Sequence, residues 1–286
     1  MVHVATESAT ITVRGVTFDL DDTLWCGKTV IRKATAAFHA YLAQEMPQLA
    51  DQFPPAAFDA LLVEFQRVLP DKAHDYTFLR KYTLRHCVEA CGAQNLHLQD
   101  TLKLEAFVDS AFRAFLVPRS QPELFDGVES LFQGLKREIE RSGGRDDVPM
   151  LGVITNGNCE VENLPKYFQD HVNFMISAEL VGSPKPGRAI FDAAVTKFPA
   201  SYSRQHLVHV GDHYECDVEG AKRAGMRTIW VNASWTKPDA LTRADLTKED
   251  AEQYAAADAI VKEVNAVLLV VERWNSLAAA ETVMPE

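Results

Sequence analysis

Four separated stretches of the chain place acids, a hydroxyl and a lysine where strands are expected to end. Asp19 and Asp21 follow the β-branched run TVRGVTFDL. Thr155 and Asn156 follow a second apolar run, Lys185 follows a third, and Asp212, with Asp217 five residues on, follows a fourth. In a parallel sheet such ends converge on one crevice, so residues far apart in sequence meet. Carboxylates gathered there repel and shift one another's pKa. A hard cation removes that repulsion, and an all-oxygen ligand set suits Mg²⁺, which is usually completed by substrate phosphate. A lysine in the same place offers a point charge to a phosphate oxygen. Backbone N–H groups in the turn Thr155–Asn156–Gly157 can hold another oxygen. Pro184 and Pro186 stiffen the backbone on either side of Lys185. Each piece alone also reads as ordinary turn or helix-cap chemistry. Their convergence is what points to phosphoryl chemistry.

The elements that must position these groups alternate between strand and helix. The expected strands are Thr12–Leu20, Met150–Thr155, Val172–Ile176, Leu207–Val210 and Arg227–Val231, with helices between them and Gly225 as a helix C-cap. Alternation of this kind predicts an α/β fold with a Rossmann-like parallel sheet covered on both faces. Between the first two strands lies a long region of helical periodicity, broken at Pro54, Pro55, Pro70 and Gly92, which reads as a cap of about four helices. The expected division is a catalytic core of 1–25 and 118–286 with a helical cap domain of 26–117. Residues from Ala278 onward are expected to fray.

With these motifs in view, the chain resembles the haloacid dehalogenase-like hydrolase superfamily. VTFDLDDTL is similar to its first motif, Thr155 to its second, Lys185 in SPKP to its third, and GDHYECD to its fourth. The resemblance implies Asp19 as nucleophile and Asp21 as general acid and base. It implies Thr155, Asn156 and Lys185 around the phosphoryl group, and Mg²⁺ at Asp19, Asp21 (through its backbone carbonyl) and Asp212, with Asp217 in support. Asp21 favours phosphate esters over organohalides, because an alkoxide leaving group needs a proton and a halide does not. Segments ITVRGVTFDLDDTLW, HDYTFLRKYTLR and ITNGN are similar to a branch acting on flavin mononucleotide and 5-amino-6-(5-phospho-D-ribitylamino)uracil. A phosphosugar mutase or a non-catalytic binding module on the same fold are the alternatives.

Within the cap, Lys72–His86 is locally basic and aromatic in an otherwise near-neutral segment. His74, Tyr76 and Arg80 are the expected substrate-entrance residues, Tyr76 and Arg80 sharing a helix face. Trp25 can stack on a planar substrate or fill the hinge.

The bulk properties narrow the partners. A net charge of -11 disfavours nucleic acid and anionic membranes. The 5 cysteines form no CxxC pair and suggest a reducing compartment. The first residues lack the pattern of a secretory leader, and no apolar run approaches the ~20 residues that span a bilayer. The expectation is a soluble intracellular, cytoplasmic protein acting on a small phosphorylated metabolite. Nothing in the sequence sets an oligomeric state.

Overall fold

A computed structural model describes residues 11–144, 147, 148 and 150–283. The segment on which the leader expectation rests lies largely outside them. The chain begins with β1 (Gly15–Phe18) and then leaves the sheet for five helices: α1 (Gly27–Glu45), α2 (Pro47–Gln52), α3 (Pro55–Val68), α4 (Tyr76–Cys91) and α5 (Thr101–Arg119). It returns through α6 (Val128–Arg141) to β2 (Leu151–Thr155), α7 (Lys166–His171), β3 (Phe174–Ser177), α8 (Ala178–Val181) and α9 (Arg188–Val195). Then come β4 (Leu207–Gly211), α10 (Gly220–Arg223), β5 (Arg227–Val231), α11 (Lys248–Gln253), β6 (Ala259–Val261) and α12 (Val267–Val283).

The six strands pair in parallel in the order β3-β2-β1-β4-β5-β6. From β1 the chain works outward on one side through β2 and β3, then crosses to β4 and works outward on the other. The C-terminal end of β1 is therefore the switch point, where the loops diverge and leave a crevice. Strands β1, β2 and β4 are buried along their whole length. That burial explains their largely apolar sequences, because helices cover both faces of a parallel sheet.

The cap has its own apolar core. Phe38, Leu42, Phe58, Leu84, Val108 and Phe112 pack together apart from the core cluster under the sheet. Asp75 and Asp100 cap the starts of α4 and α5 by accepting from the Phe78 and Lys103 N–H groups. Pro47 starts α2 at a first-turn position, where its missing N–H costs nothing, and splits one helical run into two. The cap thus has four long helices and one short one. Pro118 lies inside the last turn of α5, so the helix runs on to Arg119 instead of ending at the proline.

Three local expectations differ from the structure. A sixth strand, β6, was not anticipated; at three residues it is too short to show a period. The helix before Gly225 starts earlier, as a π-helical segment over Tyr214–Glu219 that carries Asp217. The expected frayed tail is helical as far as Val283, and Ala278 is buried. Asn275 anchors this helix. Its Oδ1 accepts from the Val13 N–H at 2.7 Å, and its Nδ2 donates to Glu138 at 2.9 Å and to Ser142 at 3.0 Å. Among the described residues, no helix is long and apolar enough to cross a membrane.

Asn275→Ala leaves the Val13 N–H and the Glu138 carboxylate short of partners in a buried place. It should destabilise the protein by about 1–3 kcal/mol, read as a lower urea midpoint with unchanged m-value.

Candidate active site

Lys185 is the centre of the site. It is 4% exposed, and its ammonium has three protons and three acceptors. It donates to Asp19 Oδ1 at 2.5 Å, Asp217 Oδ1 at 2.6 Å and the Ile154 carbonyl at 2.8 Å. Its backbone is gripped from both sides by Asn156, whose Oδ1 accepts from the Lys185 N–H at 2.7 Å and whose Nδ2 donates to the Lys185 carbonyl at 3.0 Å. The Asn156 side-chain amide is therefore committed to holding Lys185, while the expected phosphate contact of this turn concerns the backbone N–H, which that pairing does not use.

Asp19 follows β1 directly, with its N–H bound to the Val210 carbonyl on β4. Two residues on, the chain turns sharply, and Asp22 takes a left-handed conformation at φ 62° that Asp tolerates. The turn sends Asp21 toward the cap side. Its Oδ1 accepts from Trp25 Nε1 at 2.8 Å and its Oδ2 from Arg119 at 2.5 Å. Thr155 ends β2, buried, and its hydroxyl oxygen accepts from the Gly157 N–H at 3.0 Å, leaving the hydroxyl proton free to donate.

Asp217 reaches the site from the π-helical segment. A side chain on Gly211 would overlap its carboxyl, with a Cβ only 2.3 Å from Asp217 Cγ, so the close approach requires glycine there. Its Oδ2 accepts from the His213 N–H at 3.0 Å, and its Oδ1 faces His209 Nε2 at 3.3 Å. His209 Nδ1 in turn pairs with Thr17 Oγ1 at 2.9 Å. Asp212 lies at the end of β4, where Thr23 donates to its Oδ1 at 3.2 Å.

Oxygens of Asp19, Asp212 and Asp217 lie within 4.8 Å of one another. With Lys185 among them the cluster is left two negative charges in excess. Burial pushes the Asp19 carboxyl well up, Lys185 pulls it down, and Asp217 and Asp212 push it up again. Burial, then Asp217, pushes Asp212 up to about 6. For Asp217, burial works against its charge, but Lys185 and His209 outweigh it and hold the group ionised. Burial also opposes the Lys185 charge, and Asp19 and Asp217 overcome it. Two strained acids in an all-oxygen donor set fit a divalent cation, since its charge matches the excess. The Asp21 carboxylate stands outside this cluster, so only its backbone carbonyl remains as a candidate ligand there.

A cavity of about 460 Å³ opens over these groups. Its floor carries Asp19, Thr155, Lys185, Asp212 and Asp217, and its cap side carries Tyr76 and Arg80 of α4 and Phe115 of α5. The two further candidates lie elsewhere. His74 borders a neighbouring cavity of about 260 Å³ instead, alongside Tyr76, Asn156 and Lys185. Trp25 is wholly buried, 6.2 Å from Phe168 between ring centroids. It fills the hinge and holds Asp21, and presents no face to a substrate.

Arg119 and His209 went unread in the sequence, and Thr23 was read only as part of the first motif. Arg119 is a lone base at the end of a helix, with no motif around it. His209 carried a faint signal, as a polar ring inside the apolar strand LVHVG.

A covered parallel sheet with this acid–lysine cluster at its switch point, and helices inserted after β1, is shared with a known class. Residues 13–225 match the haloacid dehalogenase-like hydrolase family, and the chain belongs to it. It is 30% identical to a crystal structure of a 2-haloacid dehalogenase from Pseudomonas syringae pv. Tomato DC3000, with a TM-score of 0.71 over 92% of this chain and 100% of that one. It is 25% identical over 77% of its length to the 5-amino-6-(5-phospho-D-ribitylamino)uracil phosphatase YigB of Escherichia coli (strain K12), spanning 83% of that protein. The pyrimidine 5'-nucleotidase YjjG of the same organism is 33% identical over 29% of this chain, but the match spans only 38% of that relative.

The raised Asp212 value fixes the sign of a pH effect. The folded state holds this proton more tightly than an unfolded chain does. Its stabilising share is therefore complete at pH 3 and is lost as pH rises through about 6. In a chelator, Asp212→Asn should melt above the wild type at pH 7.5, and the gap should close toward pH 4. A gap that widens on acidification would contradict the charge excess.

Proposed function

We propose that the chain is a Mg²⁺-dependent phosphomonoesterase that passes a phosphoryl group from a small organic phosphate to Asp19 and then to water. The observation that carries this reading is Asp19 at the cavity floor, bound by Lys185, with Asp21 two residues on and held by Arg119 and Trp25. The carboxylate oxygen of Asp19 attacks phosphorus and forms an aspartyl-phosphate as the ester oxygen leaves. Asp21 gives that oxygen its proton. It then takes a proton from the incoming water, whose oxygen attacks phosphorus and frees Asp19 and inorganic phosphate. The Thr155 hydroxyl proton and the Lys185 ammonium face oxygens of the group in transfer, where negative charge must be held. Asp19, the Asp21 carbonyl and Asp212 would hold Mg²⁺, which when bound neutralises the acids and the phosphate dianion. Asp217 keeps Lys185 charged and in place. The cap, residues 26–117, covers the cavity and sets which substrates enter.

The name of the relative YigB gives one compound to try first, 5-amino-6-(5-phospho-D-ribitylamino)uracil, and the branch resemblance of the sequence adds flavin mononucleotide. The likeness to the dehalogenase structure supports a second reading, in which Asp19 displaces halide from carbon. Asp21, aimed by two donors, has no task in that reaction and favours the ester. Halide release from a 2-haloacid would decide for the second reading, and free phosphate release also separates hydrolysis from a mutase.

Asp19→Asn should lower phosphate release from an aryl phosphate by ~10³-fold or more, with an unchanged circular dichroism spectrum. Activity retained above a few per cent of wild type means another group is the nucleophile. Chelation should abolish turnover and Mg²⁺ restore it; turnover that persists in the chelator removes the metal from the scheme.

A further inference from the structure

Among the described residues, three lysine or arginine side chains border the main cavity, and two of them already have anionic partners. Lys185 is paired with Asp19 and Asp217, and Arg119 with Asp21. Arg80 is the exception. It is 9% exposed, and its Nη1 is buried with no hydrogen-bond partner. Among the described residues no carboxylate lies within ion-pair distance of it. Asp59 acts on it only through space, and burial pushes its pKa down to about 10.

What holds Arg80 is a ring. Its guanidinium carbon stands 3.6 Å from the Phe115 ring centroid and 5.8 Å from that of Phe38. A cation over a ring face is held by the ring's charge distribution, and this contact satisfies none of the guanidinium N–H donors. An arginine so placed keeps its fork rigid and unspent, the arrangement that suits a planar or tetrahedral anion. Tyr76, one turn earlier on α4, borders the same cavity.

We propose that Arg80 binds a second anionic group of the substrate, a carboxylate or phosphate at the end remote from the phosphate that is cleaved. This rests on the phosphomonoesterase reading and narrows its substrate to a small phosphate ester with charge at both ends. The reacting groups lie on the core side of the cavity and Arg80 on the cap side, so such a molecule bridges the two. The cavity volume keeps that molecule small. Flavin mononucleotide and the ribitylaminouracil phosphate have no compact second anion and serve as contrasts.

The test uses the full-length protein with Mg²⁺ and sets of phosphate esters matched in chain length, ending in a primary alcohol, a carboxylate or a second phosphate. The expected result is a kcat/KM for the acid or bisphosphate about 10- to 100-fold above the alcohol at some length, the range a charged hydrogen bond supplies. The two doubly charged arms tell which anion is preferred. Arg80→Met should bring the ratio close to one, and Arg80→Lys should keep part of it. If the methionine variant does not fold, the wild-type and lysine ratios decide. A wild-type ratio near one at every length, a ratio unchanged by either substitution, or a preference for flavin mononucleotide over every doubly charged ester would overturn the proposal. If no ester and no aryl phosphate is hydrolysed, the phosphomonoesterase reading fails. Calorimetric binding of the same sets to Asp19→Asn, with and without Arg80→Met, then decides the Arg80 site by itself.

Discussion

A buried ammonium group touching two buried carboxylates and a strand carbonyl organises this molecule. Removing charges from water is unfavourable, and their attraction offsets it only when every donor and acceptor is matched. Lys185 meets that condition with Asp19, Asp217 and Ile154. Those partners come from β1, from the segment after β4 and from β2. The ion cluster therefore joins three neighbouring strands, β2, β1 and β4, with β1 in the middle. Asn156 adds a second constraint by clamping the Lys185 backbone, so the charge cannot drift toward either acid. The fold and the chemistry rest on one set of contacts.

The cluster is balanced on one side and open on the other. Asp217 is satisfied by Lys185, the His213 N–H and His209, and stays ionised. Asp19 and Asp212 are not, and burial leaves both short of positive charge. That asymmetry faces the cavity. It separates a structural half of the cluster, which keeps Lys185 in place, from a half whose uncompensated negative charge would gain by receiving a cation.

Most of the core was legible in the sequence because it depends on short-range rules. Buried parallel strands are continuous apolar runs, and the groups that follow them must lie at one edge of the sheet, so Asp19, Thr155, Lys185, Asp212 and Asp217 could be brought together from order alone. The parts that were missed depend on long-range packing. Trp25 reads the same whether it faces a ligand or a core, and only the fold around Phe168 decides. Arg119 pairs with a residue 98 positions away and leaves no periodic trace. Asn156 was read as a turn residue beside the phosphoryl group, and its pair of hydrogen bonds to the Lys185 backbone spans 29 positions. β6 was too short to show alternation, and the tail helix is held by Asn275, whose partners come from two other parts of the chain, the run into β1 and the end of α6.

Arg119 stands at the last residue of α5, where the chain leaves the helical insertion, and its guanidinium ends on the Asp21 carboxylate. Trp25 holds the other oxygen from the point where the chain enters that insertion. Both connections between the two parts of the molecule therefore terminate on a single acid. Any swing of the helical part about these two tethers would pull on that acid from both sides, so access to the crevice and the aim of the Asp21 carboxylate are geared to one another.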